Sequence, residues 1–318
     1  MTDTLQVQGE FAPAESSFAA ETLAAAVVAD AAADAVTAEP NGFIELGLAP
    51  ELVQAVADLG YTQPTSVQLK AIPLAMGSGN DSTSFIDLMV SSQTGSGKTA
   101  AFLLPVLHTL IQQQAAAETE QRAAFERAVA EAAARGEPAP KRAKRKDPTN
   151  SRNFKAATPG ALILCPTREL AQQVAHDAID LVKHCRGLRV ANVVGGMPYQ
   201  LQIAKLQNAN LVVATPGRLL DLQRSMQIKL DKVQFLVVDE ADRMLDLGFS
   251  DDLAELNQLT AQRKQTMMFS ATFAPRIQQL AMRVMHDGGA SVQKVTIDSP
   301  QEKHANIKQM LYWADNAQ

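Results

Sequence analysis

Two stretches of the chain have residue types and spacing that could do chemistry on a phosphate. In Phe235-Leu236-Val237-Val238-Asp239-Glu240-Ala241-Asp242 an apolar run ends abruptly on three carboxylates. In Ser91-Ser92-Gln93-Thr94-Gly95-Ser96-Gly97-Lys98-Thr99 another apolar run ends on a Gly/Ser turn, a cation and a hydroxyl, followed by AAFLLPVLHTL. The second stretch is close to a phosphate-binding loop between strand and helix. The loop Gln93, Thr94, Gly95, Ser96 and Gly97 would surround a phosphate chain, with the backbone N–H groups around Gly95 to Lys98 facing it. The helix N-terminus favours the negative charge. Lys98 would reach the β/γ-phosphates, and the Thr99 hydroxyl would ligate Mg²⁺. The strict pattern asks for Gly where this chain has Ser92. The alternative is a Gly/Ser turn opening a helix with a surface lysine. The order of strand, turn and helix favours the nucleotide site.

The carboxylates then acquire a purpose. A loop that binds Mg²⁺ through one hydroxyl and the nucleotide needs a carboxylate from a neighbouring strand. Asp239 fits, through water, because Mg²⁺ dehydrates reluctantly. Glu240 is placed to orient or deprotonate the attacking water, and Asp242 completes the acidic set. The bland alternative is a strand running out into a solvated helix start, since acids favour a first helical turn.

These residues need a scaffold that delivers them to one edge. Seven short apolar runs read as strands: 85–90, 161–165, 188–194, 210–214, 234–238, 266–269 and 292–297. Amphipathic stretches at 50–59, 99–112, 168–184, 217–224 and 274–286 separate them. Continuous apolar strands alternating with helices predict an α/β fold, a mostly parallel sheet with helices on both faces. In such sheets ligands lie beyond the carboxyl ends of the strands, where the loop after 90 and the acids after Val238 both fall.

Two segments interrupt this pattern. Residues 1–40 are Ala-rich, with seven acids and no Lys or Arg, and read as a disordered or weakly helical tail. Subtracting those seven charges from the net −5 leaves +2 on the remainder. Whole-chain charge therefore says little about nucleic-acid affinity. Residues 114–158 read as an insertion: helical composition first, then Gly136, Pro138 and Pro140, then the basic run Lys141-Arg142-Ala143-Lys144-Arg145-Lys146. That run reads as a solvated arm, a nonspecific RNA tether, or a match to a nuclear localisation pattern. No apolar run approaches the roughly 18 residues of a membrane span, and no secretory signal is legible. The two cysteines, Cys165 and Cys185, suggest a reducing compartment. A cytoplasmic location is expected. His184 beside Cys185 falls short of a zinc ligand set.

The string Asp239-Glu240-Ala241-Asp242 also resembles the signature of the DEAD-box ATP-dependent RNA helicases, and other motifs follow the family's order. Gly60-Tyr61-Thr62-Gln63-Pro64-Thr65-Ser66-Val67-Gln68 resembles the Q motif, with Phe43 as its upstream aromatic. Ser91–Thr99 is similar to motif I, Pro166–Leu170 to motif Ia, Gly195-Gly196 to the GG element, Thr215–Arg218 to motif Ib and Ser270–Thr272 to motif III. Within the family the run is similar to bacterial RhlE-type members.

The resemblance implies a RecA-like P-loop domain over 41–297, with ATP and Mg²⁺ as substrate and cofactor. It implies that Gln68 reads the adenine edge and that Tyr61 stacks on the base. Without the resemblance, Tyr61, Thr65 and Ser66 read as core and helix-capping residues. Pro166, Thr167, Arg168, Gly195, Gly196, Thr215, Pro216, Gly217 and Arg218 are implied to hold single-stranded RNA by its sugar-phosphate backbone, independently of sequence. Taken separately, 215–218 is a turn opening a helix, 195–196 a flexible loop, and Arg168–Glu169 a surface pair. Ser270 and Thr272 are implied to bond the Asp242 carboxylate and couple nucleotide state to RNA strain, or else they cap the next helix.

Family members use two RecA-like domains, the second supplying arginines for hydrolysis. After Asp242 the only arginines are Arg243, Arg263, Arg276 and Arg283, and no HRxGRxxR-like element is found. Residues 298–318 resemble the start of the interdomain linker. The chain is therefore expected to be a first-domain fragment that binds nucleotide and weakly binds RNA, without efficient hydrolysis or unwinding. The alternatives are a P-loop ATPase acting on DNA or protein, and a regulatory binding fragment.

Overall fold

The computed structural model describes residues 41–77, 85–93, 95–141 and 155–297. The expectations for the 1–40 tail, for Thr94, for the basic run beyond Lys141 and for the 298–318 linker lie outside these residues. Among the described residues no helix is long and apolar enough to cross a membrane.

All seven expected strands form: β1 (Leu88–Ser91), β2 (Ala161–Leu164), β3 (Val190–Val193), β4 (Leu211–Ala214), β5 (Phe235–Val238), β6 (Gln265–Ser270) and β7 (Gln293–Thr296). They build one parallel sheet in the order β3-β4-β2-β5-β6-β1-β7. Every residue of β2, β4, β5 and β6 is buried, because alternate side chains enter two cores. Val90, Ile163, Val213, Val237 and Phe269 point into one. Met89, Leu162, Leu164, Val212, Leu236, Val238 and Met268 point into the other. Each fully buried Leu, Val or Phe side chain is worth about 1.5–3 kcal/mol.

The helices in chain order are α1 (Pro50–Asp58), α2 (Ser66–Ala75), α3 (Lys98–Ala134), α4 (Arg168–Leu181), α5 (Tyr199–Leu206), α6 (Pro216–Arg224), α7 (Ala241–Asp246), α8 (Ser250–Leu259) and α9 (Pro275–Val284). Helix α3 differs most from expectation. It passes 112 without a break and runs 37 residues, about 55 Å at 1.5 Å per residue. The first part of the insertion is thus a continuation of a core helix. Ala, Gln and Glu are good helix formers, and no breaker intervenes until Gly136, whose φ is +70°. There the Glu137 N–H returns to the Ala132 carbonyl and closes the end.

Two buried polar groups pin the elements that carry the site. Asp87, just before β1, accepts from the Thr266 N–H of β6 and from the His286 N–H, each at 2.7 Å. His108 on α3 accepts the Ala49 N–H on Nδ1 at 2.9 Å and is only 8% exposed. Burial pushes the His108 pKa below its ordinary 6.5. Its stabilisation is therefore fully present above pH 6.5, where the unfolded chain is also neutral. It is lost as pH falls through the depressed folded value. Asn Oδ1 can replace Nδ1 as acceptor without titrating. Thermal unfolding of His108→Asn is expected to lack up to one proton's worth of acid sensitivity, about 1.4 kcal/mol per pH unit. Parallel pH profiles for wild type and variant would contradict this.

Candidate functional site

Strand order places the two chemical stretches together. The phosphate-binding loop follows β1 and the acids follow β5, and β6 lies between them. The carboxylates therefore come from the next strand but one, across the end of β6. The Ser92 N–H donates to the Ser270 carbonyl at 3.1 Å, and Ser91 Oγ donates to the Ala271 carbonyl at 3.1 Å. These bonds join the loops after β1 and β6 directly.

Lys98, the first residue of α3, sits between the acids. Its Nζ is 3.1 Å from Asp239 Oδ1 and 3.4 Å from Glu240 Oε1. Asp239 is fully buried, and burial raises its carboxyl pKa, opposed by the Lys98 ammonium and by the Glu240 N–H that donates to Oδ1 at 2.9 Å. Glu240 adopts left-handed backbone angles, φ 49° and ψ 54°, a conformation that costs a non-Gly residue about 1–3 kcal/mol. This turn points the Glu240 carboxylate back toward Lys98 while Ala241 opens α7.

Gly97 has φ +84°, and a Cβ there would lie 2.6 Å from Gln68 Nε2. Gln68 is buried and doubly tied: its Nε2 donates to the Gly97 carbonyl at 3.0 Å, and its Oε1 accepts the Thr65 N–H at 2.9 Å. The capping alternative is thus realised, with Thr65 as N-cap of α2. Nε2 and Oε1 each keep one further N–H or lone pair. Tyr61 is not a core residue; its ring is 60% exposed. Phe43 is buried in the core, 2% exposed. Tyr61, Gln68, Gly95, Gly97, Lys98 and Thr99 line a cleft of about 510 Å³ that also touches Phe43 and reaches Glu240, within the size range of small-molecule sites. Ser96 is half-buried, and Gln93 is exposed at the loop's start.

Asp239 Oδ2 and Ser96 Oγ are buried without a hydrogen-bond partner, and buried polar atoms are rarely left so. Like the Thr99 hydroxyl in the cleft wall, these are oxygen donors, the kind a hydrated Mg²⁺ takes. Asp239 and Thr99 fit that ion.

The other residues gather on the remaining half of the same edge. Pro166, Thr167 and Arg168 follow β2, Gly195 and Gly196 follow β3, and Thr215, Pro216, Gly217 and Arg218 follow β4, three adjacent strands. Thr167 caps α4, its hydroxyl accepting the Leu170 N–H at 3.3 Å. Arg168 pairs with Glu169 at 3.3 Å and lies against Gly196, where a Cβ would be 2.6 Å from Nη1. Gly196 has φ +78°. Thr215 stands at the N-cap position of α6, with Pro216 in its first turn. Helix N-termini, an arginine and small residues on one surface suit a phosphate chain.

Ser270 Oγ is buried and has no hydrogen-bond partner, so it does not bond Asp242, and Thr272 is exposed. Ser270 is the last residue of β6, and Asp242 belongs to the first turn of α7. His184 contacts Asp58 at 2.7 Å. Two residues that sequence reasoning passed over, Tyr199 and Gln202, connect the 195–196 and 215–218 loops. The one signal for Gln202 is an amide on the inner face of a short helix.

The model for DEAD/DEAH box helicases matches residues 65–280 of this chain. The chain belongs to the DEAD/DEAH box helicase family. It is 35% identical over 272 residues to the ATP-dependent RNA helicase DeaD of Escherichia coli, covering 85% of this chain and 35% of DeaD. It is 34% identical over 274 residues to the ATP-dependent RNA helicase RhlB of Pseudomonas syringae, covering 85% of this chain and 57% of RhlB. The structure of a DEAD box protein from Methanococcus jannaschii superposes with a TM-score of 0.58 at 29% identity, over 80% of this chain and 55% of that one. Saccharomyces cerevisiae Dbp5 bound to RNA and ADP BeF3 gives 0.57 at 28% identity, over 81% and 52%. Thus the sheet and helices are those of a RecA-like helicase domain of the DEAD-box type, and the chain spans about half the length of these relatives or less.

Proposed function

We propose that this chain is the ATP-binding half of an ATP-dependent RNA helicase, and that the complete protein couples Mg-ATP hydrolysis to local unwinding of RNA duplexes. The observation that carries the reading is Lys98 within 3.4 Å of both Asp239 and Glu240, at the cleft that Tyr61 and Gln68 line. Bound Mg²⁺ would neutralise phosphate charge and orient the nucleotide. Asp239 and Thr99 would hold it there. Lys98 is anchored so that its ammonium can move from the carboxylates to the β/γ-phosphates. Glu240, held in its left-handed turn, takes the proton of the attacking water. The Tyr61 ring offers stacking area to the base, and the free N–H and lone pair of Gln68 suit an adenine edge.

Along the same edge, Arg168, the loop 195–196 and the start of α6 would hold one RNA strand by its backbone, without reading bases. The yeast Dbp5 structure bound to RNA and ADP BeF3 supports pairing these two halves. Arginines from a second RecA-like domain would complete hydrolysis; such a residue contributes about 10³–10⁵ in kcat. This chain alone is therefore expected to bind nucleotide, to bind RNA weakly and to turn over very slowly. We place it in the cytoplasm, with RNA and a second RecA-like domain as partners. The bacterial RhlE-type grouping rests on the run of motifs in the sequence alone.

ATP turnover, with and without single-stranded RNA, tests the reading on this chain and on one extended through a second RecA-like domain. The extended chain is expected to become RNA-stimulated while this chain stays nearly inert. Rapid RNA-dependent turnover by this chain would overturn the two-domain mechanism. Stimulation by DNA in preference to RNA would overturn the substrate.

A further inference from the structure

Helix α5 carries none of the motif residues, yet two of its side chains reach both loops that flank it. Gln202 is completely buried. Its Nε2 donates to the Val194 carbonyl at 2.8 Å and to the Met197 carbonyl at 3.1 Å. These are the residues on either side of Gly195-Gly196. The glycines have no side chains to fix them, and Gly196 is already in a left-handed conformation. One amide therefore clamps both ends of an otherwise unconstrained pair.

Tyr199, three residues earlier, faces the other loop. Its hydroxyl hydrogen-bonds Ser225 Oγ at the end of α6, and Ser225 Oγ is itself anchored to the Asp221 carbonyl at 2.8 Å. The tyrosine ring, held at its hydroxyl end, lies under the Arg218 guanidinium, 5.8 Å from carbon to ring centre. That is within reach of a cation–π attraction. An arginine on a surface ordinarily samples many rotamers, so a ring beneath it lowers the entropy lost on meeting a phosphate.

We propose that Tyr199 and Gln202 are positioning residues for the RNA-backbone surface: Gln202 sets the shape of the 195–196 loop, and Tyr199 holds Arg218 toward the phosphates. Buried Gln202 cannot touch RNA, and it acts through the loop. The inference rests on reading 195–196 and 215–218 as that surface.

The test is fluorescence anisotropy of this chain with a labelled single-stranded oligouridylate across a series of KCl concentrations, with Mg-ATP affinity measured alongside. Arg218→Ala is the control for the surface itself. It should weaken binding and make the slope of log affinity against log salt shallower by about 0.7, one phosphate contact on a single strand. Tyr199→Leu should weaken RNA binding about two- to fivefold and shift the slope the same way. Tyr199→Phe keeps the ring but frees its hydroxyl end, and should fall between wild type and Tyr199→Leu. Gln202→Leu should weaken RNA binding about fivefold or more with Mg-ATP affinity unchanged.

If Arg218→Ala changes nothing, the RNA surface has been misassigned. If Arg218→Ala has its effect while Tyr199→Leu keeps wild-type affinity and slope, and Gln202→Leu binds RNA normally, the positioning roles are wrong. Equal losses of RNA and ATP affinity in Tyr199→Leu and Gln202→Leu, with lowered melting temperatures, would also overturn them in favour of a purely structural role.

Discussion

Replacing Lys98 with alanine should weaken Mg-ATP binding to this chain by about 30- to 1,000-fold. Truncating one partner of a desolvated, hydrogen-bonded charge pair costs about 2–5 kcal/mol, and each 1.4 kcal/mol is tenfold in affinity. The lysine side chain is only 11% exposed, and its ammonium serves two acids. Its loss has a second consequence. Asp239, fully buried, would face Glu240 without its own counter-charge, Arg243 remaining 3.5 Å from Glu240 Oε2, and its carboxyl pKa, already raised by burial, would rise further. A carboxyl pKa moved upward makes Asp239 a poorer carboxylate for Mg²⁺. Both effects act in the same direction, so titration calorimetry with Mg-ATP should show a large loss. An affinity unchanged by the substitution would remove Lys98 from the phosphate site.

The second large effect is on chemistry rather than binding. Glu240→Gln keeps the size of the side chain and a hydrogen-bonding oxygen for Lys98, but it cannot accept a proton. In a chain extended through a second RecA-like domain, single-turnover hydrolysis should fall by about 10²–10⁴-fold, the usual worth of a positioned general base. Mg-ATP affinity should hold, because Asp239, Lys98 and Thr99 remain. The left-handed backbone at Glu240 makes the choice of residue instructive. Glycine at this position relieves the backbone strain but also loses the base, so Glu240→Gly should be as slow as the glutamine variant. If Glu240→Gln hydrolyses at the wild-type rate, another group accepts the proton.

Strands β2, β4, β5 and β6 were legible because burial on both faces leaves continuous apolar runs. Leu162 and Ile163 are neighbours in sequence, yet they enter different cores. Their order was not legible: nothing in 266–269 says that this strand separates the phosphate loop from the acids. Helix α3 extends past its legible part because an Ala- and Glu-rich continuation lacks the apolar periodicity of its first turns, although its stop at Gly136 was visible. Helix α2 was not legible because Pro73 lies inside it and the apolar Leu69 and Leu74 fall off its buried face of Val67, Gln68, Ala71, Ile72 and Ala75. At the site, residue types identified Lys98, Asp239 and Glu240, but the bonds from Gln68 to Gly97 and to Thr65 depend on distances that no spacing reveals. The expected bond from Ser270 to Asp242 came from resemblance, and the Ser270 hydroxyl is buried without a partner.

The most direct test of the account is a calorimetric titration of this 318-residue chain with ATP, and separately with GTP, in the presence of Mg²⁺. A cleft bounded by Tyr61, Gln68 and Lys98 predicts saturable binding at one site, with ATP held more tightly than GTP. No saturable binding of ATP, or equal affinity for the two nucleotides, would contradict it.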